Sequence, residues 1–132
     1  MTDDHAAIRE LLAGYALALD AGEIETCVQM FTPDAEVNVY GRSFARHGGL
    51  RKMFSDAPYG LHLIGVSRID VHGDTATARS QVLFVRAGDQ QLRPGLYDDE
   101  LIRDDGQWRF RRRRCQFITS NGLSDRPEVA SS

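Results

Sequence analysis

Little in this 132-residue sequence points to crosslinks, metal centres or a membrane. Its two cysteines, Cys27 and Cys115, stand alone, without the paired spacing of a zinc site or a disulfide framework. No apolar run reaches the roughly 20 residues needed to cross a bilayer. The acidic start, Met1-Thr-Asp-Asp-His, lacks the basic and apolar regions of a secretory signal. These absences predict reduced thiols, no metal ligands, no membrane partner and a cytoplasmic location.

A strong charge of one sign is also absent. Sixteen basic and 19 acidic residues give a formal net charge of −3, which creates no general attraction to nucleic acid. The run Arg111–Arg114 is the exception, but side chains on a strand alternate between faces, so these arginines form no single basic patch. The alternation predicts two sets: Trp108, Phe110 and Arg112 on one face, and Arg109, Arg111 and Arg113 on the other. We expect paired arginines on a sheet and no nucleic-acid partner.

Apolar residues at helical spacing are present in the first half of the chain. They predict a long first helix that Asp3 or Asp4 can cap and Gly22 can end. The apolar face of this helix comprises Ile8, Leu11, Leu12, Tyr15 and Leu19. Shorter helical patterns cover residues 24–31 and 50–57, with a strand predicted between them over residues 35–40.

The second half changes to long segments rich in β-branched and aromatic residues, separated by Gly-containing turns. Helices followed by an antiparallel meander predict an α+β fold, in which N-terminal helices pack on a strongly curved antiparallel sheet around a pocket. Residues 1–119 are predicted to be one domain and residues 120–132 a flexible tail. The predicted strands of the meander cover residues 61–71, 75–87, 95–103 and 107–119.

Several local phrases then resemble one family in their order and spacing. The chain is similar to the SnoaL-like branch of the NTF2-like superfamily, which implies a cystatin-like cone enclosing a small-molecule pocket. The phrases that carry the resemblance are Tyr15 through Phe31-Thr-Pro-Asp34, Leu61-His62-Leu63, Gly73-Asp74, Gly95-Leu-Tyr97-Asp-Asp99 and Asp105-Gly106-Gln-Trp108.

The resemblance also implies a site. Asp20 and His62 lie where scytalone dehydratase, bile-acid 7α-dehydratase and hexachlorocyclohexane dehydrochlorinase carry an Asp–His pair, so His62 is the expected general base and Asp20 its orienting partner. Tyr15 fits the tyrosine–aspartate spacing of the bile-acid enzyme and is the third catalytic candidate. The stretch Ser80-Gln-Val-Leu-Phe-Val lacks the second histidine or acid that the dehydratases carry after this histidine.

Three further residues are expected to bind substrate. Arg103 falls near the pocket arginine of the dehydrochlorinase, and Asp99 lies near the oxyanion-binding acid of ketosteroid isomerase. The phenol of Tyr97, like that of Tyr15, could stabilise developing negative charge on a substrate oxygen. Val39 stands about where ketosteroid isomerase has its base, which argues against that reaction in particular.

The implied activity is cofactor-independent proton transfer on a small hydrophobic carbonyl compound, by dehydration, isomerisation or cyclisation, in a lyase or isomerase. A sheet this long leaves a face that three helices cannot cover, so we expect a homodimer built on the strands over 75–87 and 107–119. Two alternatives remain open: a non-catalytic ligand-binding protein, and a module like the small subunit of aromatic-ring-hydroxylating dioxygenases.

Each site residue also has a structural alternative. Asp20 could be a solvated acid in the last helical turn, and His62 a satisfied core histidine. Tyr15 could serve packing alone, Asp99 could pair with an arginine, and Arg103 could lie on the surface at a strand end. The contacts of these side chains decide between the alternatives.

Overall fold

A computed structural model describes residues 3–128 of the chain. Three helices pack against one curved, mixed sheet of seven strands, which confirms the predicted α+β class. The helices are α1 (Asp4–Asp20), α2 (Ile24–Gln29) and α3 (Arg46–Asp56). The strands are β1 (Phe31–Val39), β2 (Arg42–Ala45), β3 (Gly60–His72), β4 (Thr75–Arg86), β5 (Leu92–Asp104), β6 (Gln107–Thr119) and β7 (Gly122–Ser124).

Helix α1 forms where the sequence predicts it. The Asp3 side chain caps its start by accepting a hydrogen bond from the Ala6 N–H at 3.2 Å. The helix ends at Asp20, and the left-handed backbone of Gly22 (φ 75°) lets the chain turn into α2. The apolar stripe of α1 is buried against the sheet, so this end of the helix is held at a fixed place over the strands.

The strand order is β2-β1-β6-β5-β4-β3, and β7 pairs with β6. Strands β3 to β6 form the predicted antiparallel meander. The sheet is nevertheless mixed, because β1 runs parallel to β6 and fills the edge that the last long strand of the meander leaves free. The prediction of an antiparallel sheet is therefore corrected at this pair.

A β-bulge in β6 corrects the predicted faces of the arginine run. Glu100 of β5 lies opposite Arg112, whereas the next residue of β5 lies opposite Phe110, so Arg111 is an extra residue in β6. The extra residue reverses the alternation beyond it. Arg112 is consequently exposed, and Arg113, predicted to share a face with Arg111, is buried at 1% exposure.

The core lies between the helices and the concave face of the sheet. Trp108, Phe31 and Leu12 are buried in one cluster. Strand β7 falls inside the segment predicted to be a tail, and residues 129–132 of that segment lie outside the described residues. None of the helices within residues 3–128 is long and apolar enough to span a membrane.

Gly95 tests how tightly β5 and β6 pack, and Gly48 serves as the control. A Cβ atom at Gly95 would lie 2.6 Å from the Gln116 carbonyl oxygen, whereas one at Gly48 in α3 would meet nothing within 4 Å. We expect Gly95→Ala to lower the free energy of unfolding by about 1–3 kcal/mol, since backbone must move. The control Gly48→Ala is expected to raise it by about 0.4–1 kcal/mol. Urea denaturation measures both, and equal stabilities would contradict this packing.

Candidate functional site

A cavity of about 640 Å³ opens between the helices and the concave face of the sheet. Most of its wall is aliphatic or aromatic, which suits a hydrophobic small molecule. The end of α1, the end of α3 and the inward residues of β1 to β6 form this wall. Representative wall residues are Leu19, Val37, Phe54, Val82, Phe84 and Phe117.

Asp20 and His62 meet at the edge of this cavity. Nδ1 of His62 lies 2.7 Å from Oδ1 of Asp20, so the contact predicted from the sequence is present. The backbone N–H of His62 also donates to both carboxylate oxygens, at 3.1 and 3.0 Å. Asp20 thus fixes the main chain and the ring together. A carboxylate at Nδ1 selects the tautomer with the proton on that atom and leaves Nε2 as the free ring nitrogen.

The surroundings keep the imidazole neutral. His62 lines the cavity, and its ring centroid lies 4.6 Å from that of Phe84. Burial lowers the pKa of His62 below its ordinary value of 6.5, although the hydrogen bond and the charge of Asp20 act in the opposite direction. At neutral pH the ring is therefore an uncharged base with one free nitrogen.

Arg113 brings a buried cation to the cavity wall. Its Nε and Nη2 atoms donate to the two carboxylate oxygens of Asp99 at 2.8 and 2.9 Å. The guanidinium carbon lies 3.8 Å from the ring centroid of Tyr97, 4.4 Å from that of Phe110 and 4.5 Å from that of Tyr15. Nη1 is buried and has no hydrogen-bond partner among the described residues. This nitrogen is an unused donor in the cavity wall.

Asp99 does not line the cavity, so its predicted contact with substrate is corrected: it is the counter-ion of Arg113. Burial raises the pKa of Asp99, and the charge of Arg113 opposes that shift. Tyr15 and Tyr97 do line the cavity, and burial raises the pKa of each phenol above its ordinary value, so both stay protonated. Burial likewise raises the pKa of the Cys115 thiol to about 12, which leaves it a poor nucleophile.

Arg103 is not at the cavity, and its predicted substrate contact is corrected too. Its Nη1 atom donates to Asp4 at 2.6 Å and its Nε atom to Asp74 at 2.9 Å. The guanidinium also lies over Trp108, whose indole N–H donates to the same Asp4. These partners hold Arg103 where β5 ends, joining the start of α1 to the sheet.

Sequence reasoning missed Arg113 as a residue of the cavity wall and named Arg103 for that role. The signal was the arginine run itself, but the bulge at Arg111 decides which member points inward. Among residues 3–128, no three His, Cys, Asp or Glu side chains cluster in a way that could hold a metal ion.

Neighbouring acids on β5 test the buried pair. Asp99→Asn removes the counter-ion of a fully buried guanidinium, so we expect the free energy of unfolding to fall by about 3–5 kcal/mol. Asp98 forms an exposed pair with Arg79, and Asp98→Asn is expected to cost at most about 1 kcal/mol. Chemical denaturation compares the two variants. Similar losses would show that Arg113 does not depend on Asp99.

Known proteins share this architecture. A protein of unknown function from Mycobacterium tuberculosis, Rv3472, is 28% identical, with a TM-score of 0.83 over 96% of this chain and 77% of its own. A proposed scytalone dehydratase from Novosphingobium aromaticivorans is 23% identical, with a TM-score of 0.78 over 97% of this chain and 91% of its own. That second likeness supports the fold alone.

The sequence itself identifies relatives. The uncharacterized protein Rv2910c of Mycobacterium tuberculosis is 33% identical over 121 residues, which cover 83% of this chain and 82% of the relative. Residues 1–114 match the family described as the SnoaL-like domain. The matched residues include Asp20, His62 and Arg113. The chain therefore belongs to the SnoaL-like domain family.

Proposed function

We propose that this chain is a cofactor-independent enzyme that removes a proton from carbon in a small hydrophobic carbonyl compound. The observation that carries the proposal is the 2.7 Å contact between Nδ1 of His62 and Asp20, made by a ring in the cavity wall. It leaves Nε2 as the general base. A scytalone dehydratase activity, named for one protein of the same fold, belongs to this reaction class.

In the proposed reaction, Nε2 of His62 takes a proton from the carbon next to the substrate carbonyl. The electron pair of the broken C–H bond moves to the carbonyl oxygen as an enolate. Nη1 of Arg113 is the free donor that supports the proposed site for this oxygen, and the protonated phenols of Tyr15 and Tyr97 flank it. Asp20 stabilises the imidazolium that forms.

The enolate has two outcomes. In an isomerisation, the substrate carries a β,γ double bond, and the imidazolium returns its proton to the γ carbon of the dienolate, which shifts the double bond into conjugation. In a dehydration, the enolate expels a β-hydroxyl, and the imidazolium gives its proton to the leaving oxygen to form water. The cavity-lining residues of β4 are Val82 and Phe84, which cannot protonate a leaving group. We therefore assign both proton transfers of a dehydration to His62.

A homodimer remains part of the proposal. Leu61, Leu63 and Ile118 are 45–49% exposed, and they alternate along their strands with cavity-lining residues, so they face away from the cavity. A second copy of the chain packed on this outer face would cover them; Ile118 lies on β6, one of the two strands expected at the interface, whereas Leu61 and Leu63 lie on β3.

Deuterium exchange tests the base without knowledge of the natural substrate. The probe is 2-tetralone, a small hydrophobic ketone whose acidic C–H groups exchange in D₂O and are followed by proton NMR. We expect the wild type to accelerate the exchange and His62→Ala to lower that rate by about 10²–10⁴-fold. His72→Ala, at an exposed hairpin position, is the matched control and should keep the full rate.

Asp20→Asn should also lower the rate, because an amide N–H facing Nδ1 favours the tautomer with the proton on Nε2. The two residues act as one unit, so the double variant is expected to be little slower than His62→Ala. Exchange that survives in His62→Ala would contradict the assignment. A wild type that binds 2-tetralone and leaves its exchange at the uncatalysed rate would favour the non-catalytic alternative.

The pH dependence of the same exchange reports on the charge state of His62. Because burial lowers the pKa of His62, the base stays active until the pH falls below its ordinary value of 6.5. We expect kcat/KM to decline on the acid side with a midpoint below 6.5. Asp20→Asn should move the midpoint lower still, since Asp20 raises the pKa. An acid limb centred above 6.5 would contradict this environment of the ring.

A further inference from the structure

A second cation lies in the cavity wall, two strands away from His62. Cross-strand pairing places His62 opposite Phe84 and Phe84 opposite Arg93, so the three residues form one row across β3, β4 and β5. All three line the cavity. Neighbouring strands lie about 4.8 Å apart, which puts the backbones of His62 and Arg93 about 10 Å from each other.

The guanidinium of Arg93 is held in place but is only partly satisfied. Its Nη1 atom donates to the Tyr40 hydroxyl at 3.0 Å, and its carbon lies 6.0 Å from the Phe84 ring centroid. Its Nε atom is buried without a hydrogen-bond partner, and no carboxylate within residues 3–128 pairs with it. A half-buried cation with an unused donor lacks the compensation that protein structures normally provide.

Tyr40 holds the Arg93 side chain in place. It occupies the turn between β1 and β2 with a left-handed backbone (φ 56°), a conformation that an aromatic residue adopts at a cost. Its ring stacks on Phe117 with the centroids 5.3 Å apart, which directs the hydroxyl towards Arg93. The strained turn and the stacked ring fix the guanidinium in the wall.

The charges around the cavity have the opposite sign to the whole chain. Arg42, Lys52 and Arg93 line the cavity together with Arg113, whereas Asp56 is the acidic residue that the described lining contains. Asp99 balances Arg113, so the remaining lining residues carry an excess of positive charge in a chain of net charge −3. This excess favours an anionic ligand group.

We propose that Arg93 binds an anionic oxygen group, a carboxylate or a phosphate monoester, at the far end of the ligand whose carbonyl end lies at His62. This inference rests on the proposed function for the position of the reacting carbon. The ligand class is an amphiphile: a hydrophobic carbonyl compound with an anionic group on the order of 10 Å from the carbon that loses its proton.

Three probes with one tail test the anion site directly: octanoate, octanol and octyl phosphate, measured by isothermal titration calorimetry. Hydrogen bonds to a charged group predict that the wild type binds octanoate roughly 10- to 100-fold more tightly than octanol. Arg93→Gln should abolish this preference and leave octanol binding within about twofold of the wild type. Arg111→Gln, an exposed arginine on the bulge, removes the same charge and should keep the preference.

Octyl phosphate identifies the anion. Tighter binding than octanoate, lost in Arg93→Gln, assigns a phosphate monoester, and weaker binding assigns a carboxylate. Equal affinity of the wild type for octanoate and octanol overturns the proposal and requires no variant. Equal losses in Arg93→Gln and Arg111→Gln also overturn it, because they would reflect net charge alone.

Different results would contradict the proposed function and the proposed anion site. His62→Ala should keep the preference for octanoate, since His62 does not touch the anion site. If 2-tetralone exchange is absent while the octanoate preference persists, the anion site stands and the proton-transfer function fails. If exchange occurs in a protein that binds octanoate and octanol equally, the function stands and the anion site fails.

Discussion

The interior of this protein depends on one buried ion pair, Arg113 with Asp99. Two charges removed from water are costly unless their geometry is very good. Here both carboxylate oxygens accept hydrogen bonds, and three aromatic rings enclose the guanidinium. The pair joins β5 to β6 beyond the bulge and sets where Tyr15 and Tyr97 meet the cavity. Because the bulge at Arg111 turns Arg113 inward, the cavity wall is partly polar instead of entirely apolar.

Two polar groups of the cavity wall, His62 and Arg113, are each supported by an acid. His62 is oriented by Asp20, which comes from the end of a helix, and Arg113 is oriented by Asp99, which comes from the adjacent strand. In both cases the acid lies behind the group that faces the cavity. Such backing holds a side chain in one position before any ligand arrives, and a prepositioned group needs little rearrangement during a reaction.

Local pattern in the sequence predicts the three helices and the meander, and the resemblance to the SnoaL-like family predicts the approach of Asp20 to His62. Those features follow from apolar spacing, turn residues and a familiar order of motifs. The parallel contact of β1 with β6 does not follow, because it joins segments that no local signal connects. The ion pair of Arg103 could not be predicted for the same reason, because its partner Asp4 lies 99 residues away in the sequence. The inward position of Arg113 was not predicted, because the alternation of side chains indicates strand faces reliably only until a bulge interrupts it.

The hydrogen bonds from the His62 main chain to Asp20 have a consequence for association. Strand β3 is the last in the order of the described sheet, and a free edge of this kind exposes amide groups that can pair with a foreign strand. Asp20 occupies the amide of His62 and places a negative charge beside it. The carboxylate that orients the imidazole therefore also disfavours the pairing of a foreign strand with the β3 edge. A substitution at Asp20 would therefore remove the hydrogen-bond partner of the imidazole and the cover of this edge amide together.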